Sequence, residues 1–87
     1  MYYVYILKSK KDQRLYIGYS KNLQERIVKH KTGQVPATKY RAPLELIYYE
    51  AYKSPEDAHK REAMLKLFSK SWVQLKKRIE NSLGQIE

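Results

Sequence analysis

Tyr2-Tyr3-Val4-Tyr5-Ile6-Leu7, followed by Arg14-Leu15-Tyr16-Ile17-Gly18-Tyr19-Ser20, is the stretch that decides how this chain folds. Both segments are dense in aromatic and β-branched residues, which suit a pleated, half-buried surface. Residues 2–8 and 14–19 read as strands, and the polar span Lys8 to Gln13 as the flexible basic loop of an antiparallel hairpin. Because side chains alternate along a strand, Tyr3, Tyr5 and Leu7 share one face of the first, and Tyr16 and Gly18 one face of the second. Alternation alone leaves open whether those two faces coincide.

A helix is expected to start near Asn22, which forms a capping-box-like pair with Glu25, and to stop at Gly33 after Thr32. Leu23, Ile27 and Val28 supply its apolar contacts, while Arg26 and His30, four residues apart, stack on one face. Residues 33–43 form a loop bracketed by Gly33, Pro36 and Pro43, and Leu44 to Tyr52 reads as a third strand. Ser54-Pro55-Glu56-Asp57 opens a second helix, with a cap residue, proline at the first helical position and acids on the dipole. It is expected to run to about Phe68; Ser69 to Ser71 break the pattern, and Trp72 to about Ser82 reads as a third, amphipathic helix. The order β-β-α-β-α-α describes a small α/β or α+β sheet with helices packed against it.

The 87 residues are expected to form one domain, 1–87, with a modest core. No cysteine is present, which fits a reducing compartment and excludes thiolate catalysis and thiolate metal sites. With no bilayer-length apolar run and no charged-then-apolar leader, the expectation is a soluble cytoplasmic protein. Eighteen basic residues face 9 acidic ones, a formal charge of +9. Such a surface attracts polyanions, and the interleaved aromatics favour nucleic acid over an anionic membrane.

Glu62 is the most discriminating single residue. On the second helix Ala58, Leu65 and Phe68 lie on or near one apolar arc, and Glu62 falls at its edge. A carboxylate there needs a partner, either a cation or a salt bridge to Arg61 or to Lys66 at i+4. Nine tyrosines occur, so most of them pack or lie at the surface. Arg26 and His30 have ordinary alternatives as a solvated helical cation and a surface residue satisfying the helix dipole, and His59 reads as surface. No P-loop, dinucleotide fingerprint, zinc cluster or nucleophilic serine motif is present.

Tyr3-Val4-Tyr5, then Tyr16-Ile17-Gly18 after a ten-residue gap, then Arg26, His30 and Glu62, resembles the GIY-YIG nuclease superfamily over essentially the whole chain. Tyr3 stands where the name-giving glycine stands, and Val4 replaces isoleucine. The tyrosine-rich opening is similar to the small stand-alone bacterial branch, itself similar to the nuclease domain of eukaryotic structure-specific resolvase subunits.

The resemblance implies a three-stranded antiparallel sheet flanked by helices and a metal-dependent endonuclease acting on DNA, at branched or damaged structures. It places Glu62 as the ligand of Mg²⁺ or Mn²⁺, Tyr5 as general base and Tyr16 as the group orienting the water. Arg26 would neutralise the transition-state phosphate and His30 would assist the base. A phenol needs a nearby cation to lower its pKa for this task. Gly18 would permit close backbone approach, and Ser20 falls where small hydroxyls are common in relatives. Asn81 takes no assigned role. Lys39, Arg41, Lys66 and Lys70 are the candidates for holding nucleic acid. The rival expectation is a non-catalytic nucleic-acid-binding module in which Trp72 and Tyr40 stack on a single strand. A third is an adaptor docking through Tyr48, Tyr49 or Tyr52.

Overall fold

The tyrosine-rich strand β1 (Tyr2–Ser9) lies in the middle of a three-stranded antiparallel sheet, between β2 (Leu15–Ser20) and β3 (Leu44–Tyr52). The computed structural model describes residues 1–84, so the last three residues of the expected 1–87 domain lie outside the described residues. Tyr5 pairs with Gly18 and Leu7 with Tyr16. Residues directly opposite in an antiparallel ladder share a face, so the two faces left open by alternation are one. The hairpin loop expected to be flexible is held by the Ser9 hydroxyl, which accepts from the amides of Lys11 and Asp12 and donates to the Arg41 carbonyl.

Each face of the sheet has its own helices. On one side Tyr5, Leu7 and Leu44 are covered by Leu23 and Ile27 of α1 (Leu23–Lys31). Asn22 caps α1 as the sequence indicates, its side chain accepting from the Glu25 amide at 3.2 Å; Val28, expected among the apolar contacts, is exposed instead. On the other side Val4, Ile6 and Ile17 pack against Ala58 and Leu65 of α2 (Pro55–Lys66), Leu75 of α3 (Lys70–Arg78), Ile79, and Leu83 of α4 (Glu80–Leu83). A bulge in β3 opposite Ile6 and Leu7 turns Ile47 and Tyr48 toward this second side together.

The helical C-terminal half differs in detail from its pattern. α2 ends at Lys66, and Phe68 at φ 51° turns the chain sharply, leaving its ring exposed and not on the apolar arc. α3 begins two residues before Trp72, and the single helix expected to reach Ser82 divides at Ile79, whose ring of contacts lies in the core. Ser54 occupies the N-cap of α2, but its hydroxyl donates to the Glu56 carboxylate and accepts from no helix amide.

Between β3 and α2, Glu50 is the most heavily bonded side chain. Arg61 grips it with two bonds, Nε to Oε1 at 2.9 Å and the terminal nitrogen to Oε2 at 3.0 Å, and the hydroxyls of Tyr48 and Tyr52 both donate to it. Burial works against the Glu50 charge, but these four donors outweigh it and hold the carboxyl below its ordinary pKa. Burial and the neighbouring carboxylate push both phenols up to about 12. Two of the three tyrosines expected to serve an adaptor surface are therefore committed internally, and Tyr49 alone of them is more than half exposed. Glu50→Gln leaves Arg61 without its anion and should lower stability by about 2 kcal/mol, a fall of roughly 10 °C in Tm by circular dichroism. A carboxyl with a depressed folded pKa stabilises above its ordinary pKa and ceases to as pH falls through the folded value, so the variant should also lose part of the parent's acid sensitivity.

Candidate active site

Tyr5 stands at the centre of the central strand and is fully buried on the α1 side. Its ring lies across Gly18 so closely that a Cβ at that position would fall 2.4 Å from both Cζ and the hydroxyl oxygen. Only a residue without a side chain fits there. A buried phenol must place its hydroxyl on a partner, and Tyr5 Oη meets His30 Nε2 at 2.8 Å. On the other side of that imidazole, Nδ1 lies 2.7 Å from the hydroxyl of Thr38. His30 and Thr38 are both fully buried. The Tyr16 ring closes the group, with its centroid 5.1 Å from that of His30 and 6.4 Å from that of Tyr5.

His30 is thus not the surface residue that its place near a helix C-terminus allows. The last turn of α1 points it inward, and burial together with the Arg26 charge pushes its pKa down to about 4. It is neutral at neutral pH. Arg26, one turn earlier on the same face, brings its guanidinium up to the hydroxyls of Tyr5 and Tyr16. Its Nε is buried and, among the described residues, has no hydrogen-bond partner. Burial raises the Tyr5 pKa, and Arg26 offsets this only in part, while the charges of Tyr16 and Glu62 add to the rise. The cation needed to lower a tyrosine pKa is present, but burial outweighs it.

Glu62 reaches the group from the opposite face of the sheet. α2 packs over β1 and β2 through Ala58 and Leu65, and Glu62 flanks that stripe within electrostatic reach of Tyr5 and Tyr19. Its side chain is 18% exposed, and its carboxylate pairs with Lys66 at 3.0 Å and with His59 at 3.9 Å. Arg61, the other expected partner, goes to Glu50. His59 lies at the surface as read, its ring tilted by 39° against Tyr19 with centroids 3.9 Å apart. No group of three or more His, Cys, Asp or Glu side chains able to hold a metal occurs among the described residues. One carboxylate suits a hydrated Mg²⁺, which retains several waters and takes one or two protein oxygens plus substrate phosphate. It does not suit a metal that demands a complete protein cage.

The four basic candidates are scattered. Lys39 lies over the exposed Tyr40 ring, 5.4 Å from its centroid, and Lys70 opens α3 at the surface. Lys66 is the partner of Glu62. Arg41 is held by Asp12 and by the Leu15 carbonyl, each at 3.3 Å. Trp72 packs against the core with Phe68 at its edge, and Asn81 is exposed on α4. Ser20 spans the turn into α1, donating to the Asn22 carbonyl and accepting from the Asn22 amide.

Residues 1–79 match the GIY-YIG catalytic domain. The chain belongs to the GIY-YIG family. A UPF0213 protein of Staphylococcus saprophyticus is 44% identical over 70 residues, 79% of this chain and 84% of that protein. UPF0213 proteins of Staphylococcus haemolyticus and Staphylococcus epidermidis are 43% and 40% identical over the same shares. The solution NMR structure of a UPF0213 protein from Bacillus halodurans superposes with a TM-score of 0.56 at 32% identity, covering 97% of this chain and 88% of that one. The GIY-YIG family is one of nucleases, so a nucleic-acid substrate follows at that level. No helix among the described residues is long and apolar enough to cross a membrane.

Of this buried cluster, Thr38 is the member that sequence reading missed. It lies in a proline-bracketed loop with no periodicity to orient it, and only the buried bond to His30 gives it a place. Gly18→Ala forces its methyl into the Tyr5 ring, so it should cost about 1–3 kcal/mol and break the Tyr5–His30 bond, seen as a shifted His30 ring resonance. In titration by NMR, the His30 midpoint should fall at about 4. Unfolding restores an ordinary value of about 6.5, so the unfolded chain binds more protons in that window. Stability should therefore decline as pH falls from about 6.5 toward 4, and His30→Gln should remove that part of the slope.

Proposed function

We propose that this chain is a Mg²⁺- or Mn²⁺-dependent endonuclease hydrolysing phosphodiester bonds in DNA, at branched or damaged structures, in the cytoplasm. The observation that carries the reading is the buried Arg26 Nε, unpartnered among the described residues and set beside two tyrosine hydroxyls. A buried guanidinium donor without an acceptor is costly, and a phosphate oxygen is the acceptor that a nuclease site would bring.

In this reading Arg26 binds the scissile phosphate and offsets the charge that grows on it in the transition state. Ionised beside the Arg26 charge, Tyr5 would take the proton of the attacking water as its phenolate, and Tyr16, whose ring borders both Tyr5 and His30, would orient that water. His30 holds the Tyr5 hydroxyl in place. Gly18 keeps the Tyr5 ring at the sheet surface. Glu62 would hold the divalent ion, once Lys66 and His59 release its oxygens. Bound there, the ion supplies positive charge against the phosphate and the departing oxygen. The charge of +9, with Lys39, Lys70, Arg41 and the released Lys66 among its contributors, favours backbone and shape recognition over reading of bases.

The Lys66–Glu62 pair favours one alternative, a nucleic-acid-binding module of the same fold whose carboxylate stays neutralised. Labelled duplex, single-stranded and branched DNA, incubated with the pure chain in Mg²⁺ or EDTA, separates the two. Cutting should require the metal and fall at least about 100-fold in Glu62→Ala and in Tyr5→Phe, with folding retained. Cutting that survives both substitutions would remove the assigned roles, and salt-sensitive binding without cutting would leave the module.

A further inference from the structure

Building on the nuclease reading above, we propose that the groove between α1 and β3 binds an unpaired segment of the DNA substrate, with its bases stacked on Tyr3 and Tyr49 and its phosphates on Lys21 and Lys31.

The groove encloses about 530 Å³, within the range of about 300–1,000 Å³ found for small-ligand sites. Its floor is apolar, formed by the half-buried Leu23, Ile27 and Leu46. Tyr3 and Tyr49 stand along it, with ring centroids 5.9 Å apart and planes at 63°. Rings set edge to face cover little of one another, and Tyr49 is 52% exposed. Its neighbours Tyr48 and Tyr52 are committed to Glu50, whereas Tyr49 stands opposite Tyr5 in the ladder and faces α1. At the position of the motif glycine this chain has Tyr3, so a ring lines the groove where the motif would have none. Lys21 and Lys31 lie at the surface along the groove, and among the described residues no Asp or Glu lines it. In the adjoining hollow Glu45 stands with Lys10 and Lys31, so the balance stays positive there too.

Aromatic walls with a basic rim are what sequence-tolerant single-strand binding requires, since rings take the faces of bases and cations take the phosphates. Paired bases cover one another's faces inside a duplex, so only an unpaired segment has faces to offer. A second copy seated here about a two-fold axis would set lysine against lysine, with no carboxylate in the lining to answer. Residues turn by 100° along a helix, which puts Gln24 and Val28 on the flank of α1 turned away from Arg26 and His30. The groove is thus separate from the catalytic group, and the two meet at the start of α1. Asn22 lines both the groove and the hollow that contains Arg26, where Glu25 is paired with Lys29 at 3.3 Å. A strand leaving Arg26 past Asn22 rounds the N-terminal end of α1, whose dipole favours phosphate, and enters the groove.

Fluorescence anisotropy of a short labelled oligothymidylate with the full chain in EDTA reads binding without cutting. Tyr49→Ala should weaken that binding about 10-fold or more, and Tyr49→Phe, which keeps the ring, should bind as the parent does. A duplex of the same length should lose little in either variant. Replacing Lys21 and Lys31 together by Gln should lower the slope of log K against log salt by about 1.4, twice the value of about 0.7 for each single-strand phosphate contact. In the cleavage assay, Tyr49→Ala should raise KM about 10-fold for a branched substrate with a single-stranded arm. Undiminished oligothymidylate binding in Tyr49→Ala, an equal loss for duplex, or an unchanged salt slope would overturn the proposal. So would a dimer that Tyr49→Ala takes apart while oligothymidylate binding persists, which would assign the groove to a second copy. Should Tyr49→Ala fail to fold, the salt slope of the doubly substituted lysine variant still decides. A chain that cuts nothing yet binds oligothymidylate through Tyr49 would fail as a nuclease while keeping this groove. One that cuts, with binding indifferent to Tyr49, would keep the nuclease reading and lose the groove.

Discussion

A phenol in the middle of the central strand, with no water to bond, is the constraint on which the rest of this site depends. The Tyr5 hydroxyl is buried and must be satisfied from within. That requirement draws His30 inward from the last turn of α1, and His30 in turn needs a partner for its second nitrogen, which brings Thr38 and its loop against the sheet. Gly18 is the same constraint seen from the neighbouring strand, since the ring occupies the space where any side chain would begin. The loop that the sequence presents as a connector between α1 and β3 is therefore part of the core, with Val35 and Thr38 buried and the Arg41 carbonyl bonded to Ser9 at the end of β1.

Glu50 and Glu62 show what a finished and an unfinished environment look like. Glu50 receives four donors, two of them from one guanidinium, and its geometry leaves nothing for a ligand to add. Glu62 has a lysine four residues along its own helix and a more distant imidazole, both on side chains more than half exposed. Lys66 and His59 reach Glu62 from solvent, so another cation can take their place without opening the core. Arg61 decides the contrast: by turning to Glu50 it secures β3 to α2 and leaves Glu62 with replaceable partners.

The fold was legible because its signals are local. Alternation marked the β1–β2 hairpin, Asn22 with Glu25 marked the start of α1, and proline with two acids marked α2. The misses come from longer range. The division of the last helix at Ile79 and the exposure of Phe68 at its left-handed turn depend on how α3 meets the sheet, which no periodicity encodes. The bulge that puts Ile47 and Tyr48 on one side is visible in hindsight as two apolar residues in a row, but its register is set by β1. Of the site, the ordered set Tyr5, Tyr16, Arg26, His30 and Glu62 could be named from its likeness to a family, because each of its members is chemically conspicuous. Thr38 is not conspicuous, and its place is defined by one buried bond across eight residues.

Electrostatically, the buried half of the site is kept uncharged. Burial raises the Tyr5 pKa and lowers that of His30, so each is driven toward its neutral form by the same loss of solvent. The fixed charges that remain are Arg26 on one side of Tyr5 and Glu62 on the other, and they oppose one another at that hydroxyl. Burial is the largest influence keeping the proton on Tyr5; the Glu62 charge adds to it and Arg26 works against it. Exclusion of solvent, more than either neighbouring charge, therefore sets the protonation of this phenol.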